Sequence, residues 1–169
     1  WYASMSEADG VYVLDTGSTD DTVATLKSLG AHIETRTFSQ FRFDDARNAS
    51  LALVPDDADI CVCTDLDEVF RPGWRAALEK VWRKNVTRLR YRYTWSFNPD
   101  GSEGVVFLAD KIHSRKLYAW KHPVHEVLTP LDGVREEFAV DESICVEHYP
   151  DATKSRASYL PLLELSVEE

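Results

Sequence analysis

Two short apolar runs end abruptly in acid, and they narrow what this chain can fold into. Residues 11–14 (VYVL) lead straight into Asp15-Thr16-Gly17-Ser18, and residues 58–64 (ADICVCT) lead into Asp65-Leu66-Asp67-Glu68. Apolar, β-branched runs of this length bounded by turn residues are the pattern of buried strands. Between them the period changes. Ser18 to Asp21 matches a capping box, after which Val23, Leu26 and Leu29 recur at helical spacing until Gly30 stops them. Residues 31–35 (AHIET) alternate like a strand, and residues 41–54 (FRFDDARNASLALV) read as a loop followed by a helix from about Asp44. Residues 58–64 are expected to form a central strand. Pro72 suits the first turn of a further helix whose face carries Trp74, Ala77, Leu78, Val81 and Trp82. Strand and helix thus alternate, which predicts an α/β fold with a mostly parallel sheet flanked by helices.

After Asn85 the pattern turns hairpin-like. Strands are predicted over 87–97, 104–112, 116–121 and roughly 134–147, with Asn98-Pro99-Asp100-Gly101 as the turn between the first two. Residues 1–8 read as the end of a helix, and residues 151–169 as a final helix with Leu160, Leu163 and Val167 on one stripe. The 169 residues suffice for a single domain with a sizeable core. In open α/β sheets, ligands bind beyond the C-terminal ends of the strands. Both acid motifs fall at such ends.

Charge narrows the partner. Asp and Glu number 29 against 19 Lys and Arg, the net charge is −10, and no run offers a broad basic face, which argues against nucleic acid. Acid clusters in such a chain suit a divalent cation instead. No apolar run approaches the length of a membrane span. The three cysteines, Cys61, Cys63 and Cys145, show neither paired disulfide spacing nor the second ligand pair of a zinc site. They point to a reducing compartment and hence to a cytoplasmic chain. Two glycosylation tripeptides, Asn48-Ala49-Ser50 and Asn85-Val86-Thr87, read as chance matches, the first of them inside a helix.

The two acid motifs each admit more than one chemistry. Asp-Thr-Gly-Ser after an apolar strand surrounds the catalytic aspartate of aspartic proteases, but that chemistry needs two carboxylates sharing a proton. No second Asp-Thr-Gly exists here, and this one runs on into a helix. Asp65 and Asp67, one residue apart at a strand end, point in similar directions and can hold Mg2+ or Mn2+, ions that take one or two carboxylates plus substrate phosphates. Alternatively, Asp65 is the nucleophile of a haloacid-dehalogenase-type phosphatase, with Asp67 beside it. That family places the motif on its first strand and wants a downstream Lys and a later acidic pair. Here two strands precede the motif and no Asp-Asp pair follows it.

Taken in order, VLDTGSTDDT, FRFDDARNASLAL and CVCTDLDEVF resemble the inverting glycosyltransferases of family 2, of the bacterial type with an Asp-X-Asp motif and a GT-A fold. The resemblance covers residues 9–75 well and 104–150 more loosely. It implies transfer of a sugar from a nucleotide-diphosphate sugar, typically UDP-linked, to an acceptor hydroxyl with inversion. It also implies Mn2+ or Mg2+ as the cofactor, neutralising charge on the leaving group. Matched residue by residue, Asp15 contacts the nucleoside, Arg47 lies near the nucleotide, Asp65 serves the ribose or the ion, and Asp67 serves the metal and diphosphate. Residues 1–85 then form the nucleotide-binding half of a single domain and 86–169 the acceptor side. His148, in CVEHYP, resembles a late histidine that completes the metal site; a structural role at a strand end is its alternative. WKHPVHEVL resembles a His-Glu segment of bacterial members. That makes Glu126 the candidate base for the acceptor proton, with His122 and His125 as candidates for diphosphate or acceptor. Packing beside Trp120 and Pro123 is the other reading of these histidines. The family's first strand and base-binding loop have no counterpart ahead of WYASMSEADG. The chain is therefore expected to be truncated at its N-terminus and weakly active or inactive alone. A non-catalytic nucleotide-sugar-binding fragment, with tryptophans such as Trp95 and Trp120 stacking on sugar rings, is the remaining reading.

Overall fold

A computed structural model describes residues 1–151 and 159–168. Among these the elements run β1 (Tyr12–Asp15), α1 (Thr22–Ser28), β2 (His32–Thr35), α2 (Phe43–Leu53), β3 (Ile60–Val62), β4 (Glu68–Phe70), α3 (Trp74–Val81), β5 (Arg88–Thr94), β6 (Val106–Ser114), β7 (Tyr118–Lys121), β8 (Val127–Pro130), β9 (Phe138–His148) and α4 (Tyr159–Glu168). A 3-10 turn at Tyr2–Met5 precedes them, where the sequence suggested a helix end. The fold is mixed α/β. The chain gathers into two compact units that interleave along the sequence.

One unit comprises Trp1–Asp9, Ile60–Ser114 and residues 134–151. Its five strands lie in the order β3-β6-β5-β9-β4. Only β5 and β9 pair in parallel; the other neighbours are antiparallel. The mostly parallel sheet expected from the alternation is therefore not the one formed. Its reason is local. β5 and β6 are joined by the Asn98–Gly101 turn, where the Gly101 N–H donates to the Asn98 carbonyl at 2.9 Å and Gly101 takes φ +82°. A return this short permits only antiparallel pairing. Residues 58–64, expected at the centre, contribute the edge strand β3, with β6 as its neighbour in the sheet. β4 begins on the last acid of the motif and was not expected, since three residues are too few to show a period.

The core of this unit is the seam between β5, β6 and β9. Leu89, Ile112, Ile144 and Val146 are wholly buried, as is the ring of Tyr91. α3 covers the sheet with Trp74, whose ring lies 5.1 Å from Phe70 and whose indole N–H donates to the Ser4 carbonyl at 3.0 Å. Of the predicted stripe, Trp74 and Leu78 are buried, while Trp82 lies just past the helix end. Pro72 precedes the helix rather than sitting in its first turn. The N-cap is Gly73 at φ +90°, and its orphan amides are satisfied from a distance: the Glu7 carboxylate accepts from Gly73 N–H at 2.6 Å and Arg75 N–H at 3.0 Å.

The other unit comprises Gly10–Asp59, Arg115–Gly133 and residues 159–168. β1 and β2 pair in parallel around α1, with Tyr12 stacked on its cross-strand partner His32 at 4.8 Å. This is the strand–helix–strand element the sequence predicted. The capping box is not formed: α1 starts at Thr22, Asp21 at its N-cap makes no side-chain bond, and Asp20 accepts from the Thr22 N–H at 3.0 Å instead. β7 and β8 form an antiparallel hairpin, of which only the first strand was foreseen. Asn48 on α2 ties it down, donating to the Trp120 carbonyl at 2.9 Å and accepting the Trp120 N–H at 2.8 Å. In effect, a side-chain amide stands in for a neighbouring strand. Within the expected final helix, residues 152–158 and 169 lie outside the described residues. On α4, Leu162 is the buried residue, and the Leu160, Leu163 and Val167 stripe faces outward.

These packing differences set an expectation for stability. Trp74→Ala removes a ring that is 2% exposed and should cost about 3–5 kcal/mol in urea unfolding. Trp95→Ala, whose ring is 42% exposed, should cost well under half of that. Equal losses would contradict this account of the core.

Candidate functional site

The Asp-Leu-Asp motif is fixed by the register of β4 on β9. Glu68 pairs with His148, and one residue outward the Tyr149 N–H donates to the Asp67 carbonyl at 2.8 Å. That register carries Asp67 to His148 across 81 positions of sequence, with Oδ2 3.5 Å from Nε2. The ring is held from its other side. Nδ1 lies 3.1 Å from the Trp95 carbonyl, which can only accept, so Nδ1 carries the proton. In the neutral ring Nε2 therefore presents a lone pair to a carboxylate. Two such atoms repel at this separation unless a proton or a cation lies between them. The Trp95 ring stacks on the imidazole at 4.5 Å and holds its plane.

Asp65 meets a different partner. Its Oδ2 lies 3.3 Å from Lys111 Nζ, and that ammonium donates to Glu68 Oε1 at 2.7 Å. Glu68 is 2% exposed, yet no lone carboxylate is buried here. Oε1 also accepts the Tyr93 hydroxyl at 2.8 Å, and Oε2 accepts the Asp65 N–H at 3.1 Å. Burial, reinforced by the Glu68 charge, pushes the Tyr93 hydroxyl far above its usual pKa, so it remains a donor. Glu68, Tyr93 and Lys111 were not singled out in the sequence. The available signal was a Lys inside the otherwise strand-like FLADKIH and a fourth residue in the acid run. Nearby, His113 is wholly buried, its Nδ1 donating to the Ser114 carbonyl at 2.9 Å and its Nε2 3.5 Å from Cys63 Sγ.

The remaining candidates belong to the other unit. Asp15 ends β1 and turns its carboxylate on its own loop, accepting Gly17 N–H at 3.2 Å and Ser18 N–H at 3.1 Å. Gly17 takes φ +119°, which lets the backbone wrap the carboxylate. Arg47 on α2 and Glu126 just before β8 form an ion pair, with Arg47 Nε donating to Glu126 Oε1 and both side chains largely buried. The guanidinium also lies over the Trp120 ring, 4.9 Å from its centroid. The two residues that the family resemblance gave to nucleotide and base are thus partners of each other. His122 and His125 are exposed and hold left-handed backbone at φ +82° and +53°. Between them Pro123 and Val124 are buried, and the Pro123 carbonyl accepts the Phe43 N–H at 3.0 Å. Packing falls to Pro123 and Val124 rather than to the histidines, and backbone strain is concentrated beside Glu126.

Among the described residues no three His, Cys, Asp or Glu side chains converge as a complete metal cage. What Asp67 and His148 offer is a two-donor set, which suits an ion that brings phosphate oxygens and water with it. No described helix is long and apolar enough to cross a membrane. No known protein-family model matches the chain.

Asp15 makes a pH dependence. Hydrogen bonds from Ser18 and Gly17 to the charged form outweigh its burial and lower its pKa below the usual carboxylate value. Its contribution to stability is therefore fully present above the unfolded-state value of about 4 and is lost as pH falls through the lower folded value. Asp44, lowered by the Arg42 guanidinium, titrates in the same direction. Asp15→Asn should flatten the fall of the unfolding midpoint between about pH 5 and pH 2 while leaving the Asp44 share. Identical profiles for the two chains would show that the turn draws nothing from the charge.

Proposed function

We propose that this chain works as a GT-A-type, family 2 glycosyltransferase. It takes a nucleotide-diphosphate sugar, typically UDP-linked, and transfers the sugar to an acceptor hydroxyl with inversion. The observation that carries the reading is the Asp67–His148 pair. A carboxylate and an oriented imidazole nitrogen face each other beside a strand end, in a geometry that calls for a positive charge between them. The strand–helix–strand element that places Asp15 at the end of β1 supports the same reading.

Asp67 and His148 would hold a divalent ion, Mn2+ or Mg2+, whose chemistry is to neutralise the diphosphate as it leaves. Asp15 and Arg47 serve the nucleotide, and Asp65 accepts from a ribose hydroxyl. Glu126 takes the proton of the acceptor hydroxyl, which requires its ion pair with Arg47 to loosen during the cycle. His122 and His125 present exposed ring nitrogens to diphosphate or acceptor from a strained loop.

One observation favours the phosphatase alternative. Lys111 stands beside Asp65, where a phosphoryl-accepting aspartate needs a cation. Against it, Asp65 follows an edge strand paired antiparallel, not the first strand of a parallel sheet.

The reading is tested by titrating Mn2+ together with UDP into the 169-residue chain and into Asp67→Asn. Wild type should bind the two cooperatively, and the variant should lose about tenfold or more of the Mn2+ affinity. Equal binding removes the assignment. An acyl phosphate trapped on Asp65 by a phosphomonoester, found by mass spectrometry, would turn the reading to the phosphatase.

A further inference from the structure

We propose that Lys111 is a built-in counter-cation that reserves Asp65, so that a divalent ion is taken by Asp67 and His148 while Asp65 stays out of its coordination sphere. The inference rests on the metal-dependent reading above and gives the physical cause of its donor set.

The geometry is asymmetric. The Lys111 ammonium is 2.7 Å from Glu68 and 3.3 Å from Asp65. The Glu68 side chain is 3% exposed, that of Asp65 44% exposed. An exposed carboxylate alone holds a lysine weakly. A buried carboxylate holds it firmly, because leaving would strand an uncompensated charge. Glu68 therefore fixes the ammonium, and Asp65 comes to it. The Tyr93 hydroxyl and the Asp65 amide occupy other acceptor positions of the same carboxylate, so Glu68 has little freedom to follow a departing lysine.

A fixed positive charge within hydrogen-bond distance of Asp65 repels a second cation from that oxygen. Among the described residues no ammonium stands beside Asp67: its oxygen faces His148 Nε2 at 3.5 Å. Two aspartates one residue apart thus have different electrostatic surroundings. Asp65 is prepared to accept a neutral donor such as a ribose hydroxyl, and Asp67 to accept a cation. The Asp-X-Asp spacing alone does not distinguish them; a lysine 46 residues away does.

The test measures Mn2+ binding in the presence of UDP by the electron paramagnetic resonance signal of free Mn2+. At UDP concentrations that saturate each variant, and with Lys111 in place, Asp65→Asn should change the Mn2+ dissociation constant by about twofold or less, whereas Asp67→Asn should raise it by about tenfold or more. Lys111→Met should tighten Mn2+ by about tenfold, and adding Asp65→Asn to it should abolish that gain. If Lys111→Met does not fold, Glu68→Gln with Lys111→Met removes both charges of the buried pair and carries the same expectation. The fluorescence of Trp95, stacked on His148, gives an independent readout, since bound Mn2+ should quench it in wild type and in Asp65→Asn alike. Mn2+ binding that depends on Asp65 as strongly as on Asp67 overturns this inference and leaves the proposed function standing. A wild type that takes up no Mn2+ with UDP overturns both.

Discussion

The carboxylate of Glu68 is the interaction on which the sheet-bearing unit depends. It is a charge almost without solvent, and its position is tolerable only because three other segments supply it with donors at once. Lys111 comes from β6, Tyr93 from β5, the Asp65 amide from the loop after β3, and Glu68 itself opens β4. Removing any one partner leaves a buried acceptor short of a donor. The network therefore joins strands that the backbone ladder does not, because β4 and β6 lie at separate positions in the sheet order. The acid loop inherits its shape from this joint. Glu68 N–H also donates to the Asp65 carbonyl at 3.1 Å, so the turn that presents both aspartates is closed from both ends.

The other unit solves a comparable problem with neutral and paired groups. Asn48 gives the β7 edge the two backbone bonds that a further strand would give it, and Arg47, one residue earlier on α2, covers the Trp120 ring and meets Glu126. Both helix residues thus hold the same hairpin, one through its backbone and the other through its side chains. The loop inside that hairpin takes its tight path by placing two histidines in left-handed backbone, at positions where glycine would be the relaxed choice. Strain kept at exposed histidines, with buried Pro123 and Val124 between them, is a pattern more often found where side chains must be aimed than where chains merely turn.

Much of the first half was legible because its signals are local. The βαβ element around α1, the helix over residues 43–53 and the buried stripe of Trp74 and Leu78 all follow from periodicity within a few turns. What escaped was decided by distant partners. A run such as ICVCT looks central by composition, yet its place at the sheet edge depends on the β5–β6 hairpin returning beside it. β4 has three residues and no period of its own; it exists because β9 arrives to pair with it. The same holds for the site. Asp65, Asp67 and His148 were visible as chemistry, but the division of labour between the aspartates depends on Lys111 and Glu68, which sequence spacing does not connect. Asp15 was visible as an acid after a strand, and the turn that occupies both of its oxygens was not.

The pairing of β4 with β9 has a consequence for how the chain is made. The ladder partner of the strand carrying Glu68, and the histidine opposite it, leave the ribosome about 80 residues after that strand; at the usual pace of translation that is several seconds. During that interval the acid loop has no β9 to order it, and a buried-type carboxylate remains in water with its neighbours at −3 before Lys111 is added. The loop closure is among the longest in the unit, so its entropy falls late on the folding path. Assembly of the acid loop should therefore be the last event of folding in that unit, and the first to be undone when residues near the C-terminal end of β9 are lost.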